Sequence, residues 1–190
     1  MPRIVDHEQR RADVAAAVWR IVSRDGLEAA TVRRVAAETG MSTSVVSHYF
    51  ASKDDLLRLA FRIVVERSRG RALAESASGG RTRALLVTGL PLDDERLAEA
   101  RVWFAFLGLA VTRPDLAGEQ GNAYTAWRGA VAAALVDEGL HENLDAEAEA
   151  AGLIALVDGL TVQATFAPRK IPADRQLALL DERLAELGVG

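Results

Sequence analysis

No cysteine occurs anywhere in this chain. Disulfide frameworks, zinc–thiolate sites and thiol nucleophiles are excluded together, and a reducing compartment suits such a sequence without being required by it. Histidine is almost as scarce. His7, His48 and His141 are the three present, far apart, and no metal-ligand spacing or glycine-rich phosphate loop accompanies them. The run His141-Glu-Asn-Leu-Asp145 comes nearest to a ligand cluster and reads more simply as a hydrated loop ending in a helix cap. No catalytic residue, metal or cofactor is therefore expected. Long apolar runs are missing too: the most apolar stretch, Val102 to Val111, is about half of the roughly 20 residues that a membrane-spanning helix needs. Met1 to Arg11 is charged and holds no signal-peptide core. The expectation is a cytoplasmic protein with no membrane partner.

An excess of positive charge is also lacking. Lys and Arg number 23 against 27 Asp and Glu, for a net charge of -4, which at first argues against a nucleic-acid partner because phosphate binding uses clustered cations. The charges are unevenly spread, however. The first 60 residues hold nine Lys or Arg and eight Asp or Glu, while the rest hold 14 and 19. Acidity in a separate second part does not prevent a local basic surface from meeting DNA. With 190 residues, 49% of them hydrophobic and 26% charged, the chain suits one or two compact globular units.

What is present is helical periodicity, with no fixed repeat and no alternating strand pattern. Val14, Val18, Ile21 and Val22 form the stripe of a first helix, ended by Asp25-Gly26. Thr31 caps a short second helix that turns Val32, Val35 and Ala36 inward, and Gly40 stops it. Ser42 caps a third, Thr43 to Phe50, whose Val46 and Phe50 share one face. Ser52-x-x-Asp55 is a capping-box pattern opening a long fourth helix, which fades at Ser76-Ala-Ser-Gly79-Gly80. Beyond that loop the patterns predict a short helix around Leu85 and four longer ones, near 93–112, 115–138, 145–166 and 172–187. The fold expected is all-α with about nine helices.

Two short helices joined through Thr39-Gly40-Met41-Ser42 have the layout of a helix-turn-helix. In that motif the first helix braces on the phosphate backbone and the second enters the major groove, where base edges carry sequence information. Ser44, Ser47 and His48 fall at i, i+3 and i+4 on the face away from Val46 and Phe50. They can reach bases.

Leu27 to Leu57, with its Gly40-x-Ser42, the aromatic pair Tyr49-Phe50 and Lys53 followed by Leu56-Leu57, resembles the TetR family of one-component repressors. Ser47-His48-Tyr49-Phe50 and a later Val157-Asp158-Gly159-Leu160 look closest to the branch holding the choline-responsive repressor of betaine synthesis. The resemblance implies a helix-turn-helix domain over 1–53 and an effector-binding and dimerisation domain over 54–190. It places Thr43, Ser44, Val45 and Ser47 at the bases of a palindromic operator with His48 beside them, and counts Ser42 among the DNA-binding residues. Thr31, Arg33, Arg34, Tyr49 and Lys53 would hold phosphates, with Arg3, Arg10 and Arg11 adding contacts from the N-terminal arm. For Arg33 and Arg34 a solvated helix surface is the alternative, for Tyr49 plain packing, and for His48 a local hydrogen bond.

The same resemblance implies a homodimer and a small-molecule effector of unknown identity. Trp103, Phe106 and Trp127, on apolar helix faces, serve either as pocket walls or as ordinary core. Asp158, a carboxylate in an apolar stretch, needs a partner, which is either a cationic ligand or a structural hydrogen bond. Leucine stripes at Leu153, Leu156 and Leu160 and at Leu177, Leu180 and Leu184 suit a four-helix dimer interface, with Gly152 and Gly159 permitting close approach. Two other readings keep less of this picture: a regulator without a ligand, or a helical enzyme, for which the residues offer no support.

Overall fold

The computed structural model describes residues 3–50, 52–75 and 80–189, with side chains from Gln9 onward. Among the described residues there are nine α-helices and no strand. In chain order they are α1 Arg3–Asp25, α2 Val32–Thr39, α3 Thr43–Tyr49, α4 Lys53–Glu75, α5 Arg81–Val87, α6 Asp94–Ala110, α7 Pro114–Asp137, α8 Ala146–Phe166 and α9 Ala173–Glu186. A 3-10 turn at Leu27–Ala29, which no sequence pattern announced, follows α1.

Local chemistry sets these limits. Gly40 adopts φ 69°, a left-handed geometry that L side chains avoid, and so turns the chain from α2 into α3. Ser42 Oγ then accepts the Val45 N–H at 3.3 Å to cap α3. At the head of α4 the expected capping box is made in full: Ser52 N–H donates to Asp55 Oδ2 at 3.0 Å, and Asp55 N–H to Ser52 Oγ at 3.1 Å. Asp145 accepts the N–H groups of Glu147 and Ala148 at 3.0 and 3.4 Å, which makes it a helix cap. No cluster of three His, Cys, Asp or Glu suited to a metal occurs among the described residues.

Two main apolar clusters organise the helices. In the N-terminal one, Val14, Val18 and Ile21 of α1 meet Val35 of α2, Val46 of α3 and the following Phe50. Leu56, Ala60 and Val64 of α4 and Val102 of α6 complete it. The helix that begins at the expected domain boundary is thus shared, its first half closing the N-terminal core. The second cluster joins α5, α7, α8 and α9 through residues such as Leu86, Leu135, Val157 and Leu180. Between them, Leu57 and Phe61 of α4 pack on Phe106 of α6 and Leu116 of α7. Each such side chain removed from water contributes about 1.5–3 kcal/mol.

The leucine stripes of α8 and α9 depart from expectation. Leu153, Leu160, Leu180 and Leu184 are buried within their own chain, and Leu156 and Leu177 pack against the same cluster. Leu153, Leu160, Leu180 and Leu184 seal α8 and α9 onto α5 and α7 and turn their side chains into their own fold, whereas Leu156 and Leu177 are half-buried at its edge. Periodicity shows that a face is covered, not by which molecule. The outward face of α8 carries Gly152, Ala155, Gly159, Val162 and Phe166 at alternating spacings of three and four. Nothing lies within 4 Å of a Cβ built on either glycine, and Val162 and Phe166 are 41% and 79% exposed. By length and composition α8 could cross a membrane, at mean hydropathy 1.2, yet 39% of that window is buried against its own fold.

Candidate functional site

On α3, burial of Val46 and the adjoining Phe50 fixes the rotation of the helix and turns Thr43, Ser44, Ser47 and His48 into solvent. Ser42 is exposed as well, while Val45 and Tyr49 are half-buried. The hydroxyls of Ser42 and Ser44 lie 2.9 Å apart, and the rings of His48 and Tyr49 meet edge-on at 5.6 Å. Thr31 Oγ1 accepts the Arg34 N–H at 3.3 Å as the cap of α2.

The basic residues nearby differ in commitment. Arg34 donates to Asp25 at 2.5 Å and Lys53 to Glu28. Arg33, one position before Arg34, is exposed and enters no ion pair among the described residues. Arg10 and Arg11 are exposed on α1, whereas the Arg3 side chain lies outside the described ones.

The second site is a cavity of about 220 Å³ lined by α4, α6, α7 and α8 and the end of α5. Trp103, Trp127 and Asp158 are on its wall. Phe106 is not: it is fully buried and stacks on Phe61 with ring centroids 4.0 Å apart. Its place on α6 turns it into the core between α4 and α7. Trp127 has a structural task too, since its Nε1–H donates to the Leu85 carbonyl at 3.1 Å.

Asp158 finds a protein partner in the Tyr124 hydroxyl, which donates to Oδ2 at 2.6 Å. Burial pushes the Asp158 carboxyl above the usual carboxylate range, and the Tyr124 hydrogen bond pulls the other way. The Tyr124 phenol is driven well above its ordinary value, first by burial and then by the neighbouring carboxylate. Both residues also edge a surface groove with Gly121, Arg128 and Ala155, so this pair forms a partition between the cavity and the outer α7–α8 face.

Glu99, Gln120 and Thr161 line the cavity as well, and the sequence reading gave none of them a place there. The available signal for Glu99 was a lone acid inside an apolar helix. It is 3% exposed and accepts from Arg67 Nε at 3.0 Å and from Arg71 Nη1 at 2.9 Å. The Arg67 guanidinium also lies over the Trp19 ring of α1, 4.9 Å from its centroid. Arg113 on the α6–α7 turn pairs with Asp54 of α4 at 2.7 Å. Through these contacts α4 is tied to the cavity wall on one side and to α1 on the other.

A short capped helix with a solvent-facing polar edge, carried by a helix shared with a cavity-bearing domain, defines a helix-turn-helix regulator. Residues 14–60 match the family described as bacterial regulatory proteins of the tetR type, and residues 79–189 match the C-terminal domain of BetI-type transcriptional repressors. The chain is 34% identical to the HTH-type transcriptional regulator PksA of Bacillus subtilis over 92% of its own length and 88% of the relative. It is 29% identical to the BetI 1 regulator of Chromohalobacter salexigens, covering 97% and 95%. A transcriptional regulator from Saccharomonospora viridis, solved in complex with choline, superposes with TM-score 0.81 at 25% identity over 94% of this chain and 96% of that one. The chain belongs to the TetR family of DNA-binding transcriptional regulators, with a C-terminal domain of the BetI type.

Proposed function

We propose that the protein is a homodimeric repressor that grips an operator through α3 and lets go when a small cation enters the cavity. The outward rotation of α3 carries the DNA half of this reading. Thr43, Ser44, Ser47 and His48 present their side chains where base edges would lie, with Ser42 and Val45 at the margin of the same surface. Thr31, Arg33, Tyr49 and Lys53 are the phosphate ligands. Arg33 needs no rearrangement for that role, whereas Lys53 must exchange Glu28 for phosphate and Arg34 must give up Asp25.

Trp103, Trp127, Tyr124 and the Asp158 carboxylate support a cationic effector, because aromatic faces and a half-buried negative charge both favour a positive ligand. The choline bound by the Saccharomonospora viridis regulator has that chemistry. The homodimer is supported by the outward α8 stripe of Gly152, Ala155, Gly159, Val162 and Phe166, whose small residues admit a second copy closely. In the dimer two α3 helices must match major grooves roughly 34 Å apart. The Glu99–Arg67–Trp19 contacts give occupancy of the cavity a route to α1 and hence to that spacing.

The test is operator binding, titrated with salt, on the promoter upstream of the gene, with and without choline. Arg33→Ala should lower the salt slope by about one unit, the change expected for one lost phosphate contact, and choline should weaken the native complex. An unchanged slope together with choline-insensitive binding would overturn the reading.

A further inference from the structure

Most polar groups around the cavity are committed, Arg69 on its exposed rim aside. Thr88 Oγ1 donates to the Leu85 carbonyl at 2.9 Å, and Thr161 Oγ1 to those of Gly89 and Val157 at 2.9 and 2.8 Å. Trp127 and Tyr124 spend their donors on Leu85 and Asp158. Glu99 is held by Arg67 and Arg71, and Arg96 is held by Glu75 at 3.1 Å. Gln120 differs. It is only 7% exposed, and its buried Oε1 receives no hydrogen bond from the protein. Among the described residues that line the cavity, no other side chain has a buried polar atom in that condition.

A buried acceptor without a donor is costly, and a ligand that supplies the donor recovers the loss. We infer that Gln120 sets effector specificity by accepting a hydrogen bond from an O–H or N–H on the ligand. The site therefore selects a cation that carries a donor over one whose substituents are all alkyl. This rests on the cationic-effector reading above and adds a second recognition point, on α7 rather than at the Asp158 carboxylate of α8. A pocket built to pair with a hydroxyl discriminates strongly against the analogue that lacks it, because that analogue leaves the acceptor buried and unpaired.

Three probes separate charge from donor in calorimetric titrations of the full-length protein. Choline has both, ethyltrimethylammonium has the charge alone, and 3,3-dimethylbutan-1-ol has the hydroxyl alone. The native chain should bind choline more tightly than ethyltrimethylammonium by about tenfold or more. Gln120→Leu should bring that ratio to within about twofold by weakening choline alone, and Gln120→Glu, which keeps an acceptor, should retain the preference. Thermal melts identify any variant that has lost its fold; should Gln120→Leu do so, Gln120→Met, which likewise lacks the amide acceptor, carries the comparison with the native chain. Equal binding of the two cations by the native chain, or an unchanged ratio in Gln120→Leu, overturns the role given to Gln120. If neither cation binds, the cationic-effector reading itself fails and the inference goes with it. Should the neutral alcohol bind as tightly as choline, the donor requirement stands and the charge requirement falls.

Discussion

Changing Glu99 to Gln preserves the shape of the side chain and removes a charge that lies between two arginines of α4. In the native chain Arg67 Nε and Arg71 Nη1 donate to the same Glu99 oxygen at 3.0 and 2.9 Å, and Arg71 also reaches the second oxygen. Removing one member of a buried ionic group costs about 3–5 kcal/mol when the remaining charge has no access to water. Here the Arg67 and Arg71 side chains are 34% and 20% exposed, so hydration recovers part of the loss. Glutamine also keeps one acceptor, which leaves a cost of about 2–3 kcal/mol. Glu95→Gln is the internal control. Glu95 touches the same Arg67 but its side chain is 53% exposed, so its loss should cost about 0–1 kcal/mol. Urea denaturation at one fixed protein concentration reads both. The Glu99→Gln midpoint should fall clearly below that of Glu95→Gln with an unchanged m-value. Equal midpoints would refute the idea that a buried ionic joint locks α4 to α6.

Three further outcomes follow from the same geometry. Phe106→Ala should destabilise the chain by about 3–5 kcal/mol in chemical denaturation, since the ring is fully buried against Phe61; a loss under about 1 kcal/mol would return Phe106 to an accessible wall. Choline affinity should fall as pH drops through the raised Asp158 pKa, because the proton removes the charge that attracts the cation. Asp158→Asn should bind weakly at every pH, and an identical pH profile in this variant would assign the dependence to another group. The sign for stability is opposite: a raised folded pKa means that the ionised carboxyl penalises the fold above it, and protonation relieves that penalty as pH falls. Ala155→Arg, on the outward face of α8, should give a monomer in analytical ultracentrifugation that keeps the native helical circular-dichroism spectrum; a dimer that persists would move the interface elsewhere.

Much of the fold was legible because short-range chemistry decides it. Gly40, Ser42 and the Ser52–Asp55 pair each act within four residues, and each does in the structure what its spacing indicates. The outward face of α3 was legible for the same reason, since two apolar residues four apart suffice to orient so short a helix. Phe106 and the leucines of α8 and α9 were harder. Their periodicity shows that they are covered, but the covering surface comes from α4, α5 and α7, distant in sequence. Gln120 and Glu99 carried weaker signals still. Each is a single polar residue on a long helix, and only the meeting of α4, α6, α7 and α8 gives either one a place on the cavity wall.

The partition made by Tyr124 and Asp158 has two sides, and this limits how such a protein can diversify. A substitution that retunes the chamber for another molecule also reshapes the groove beside α8, where Arg128 and Ala155 stand. The chamber and the outer groove are thereby linked in inheritance, because a change at Tyr124 or Asp158 is felt on both sides of the wall.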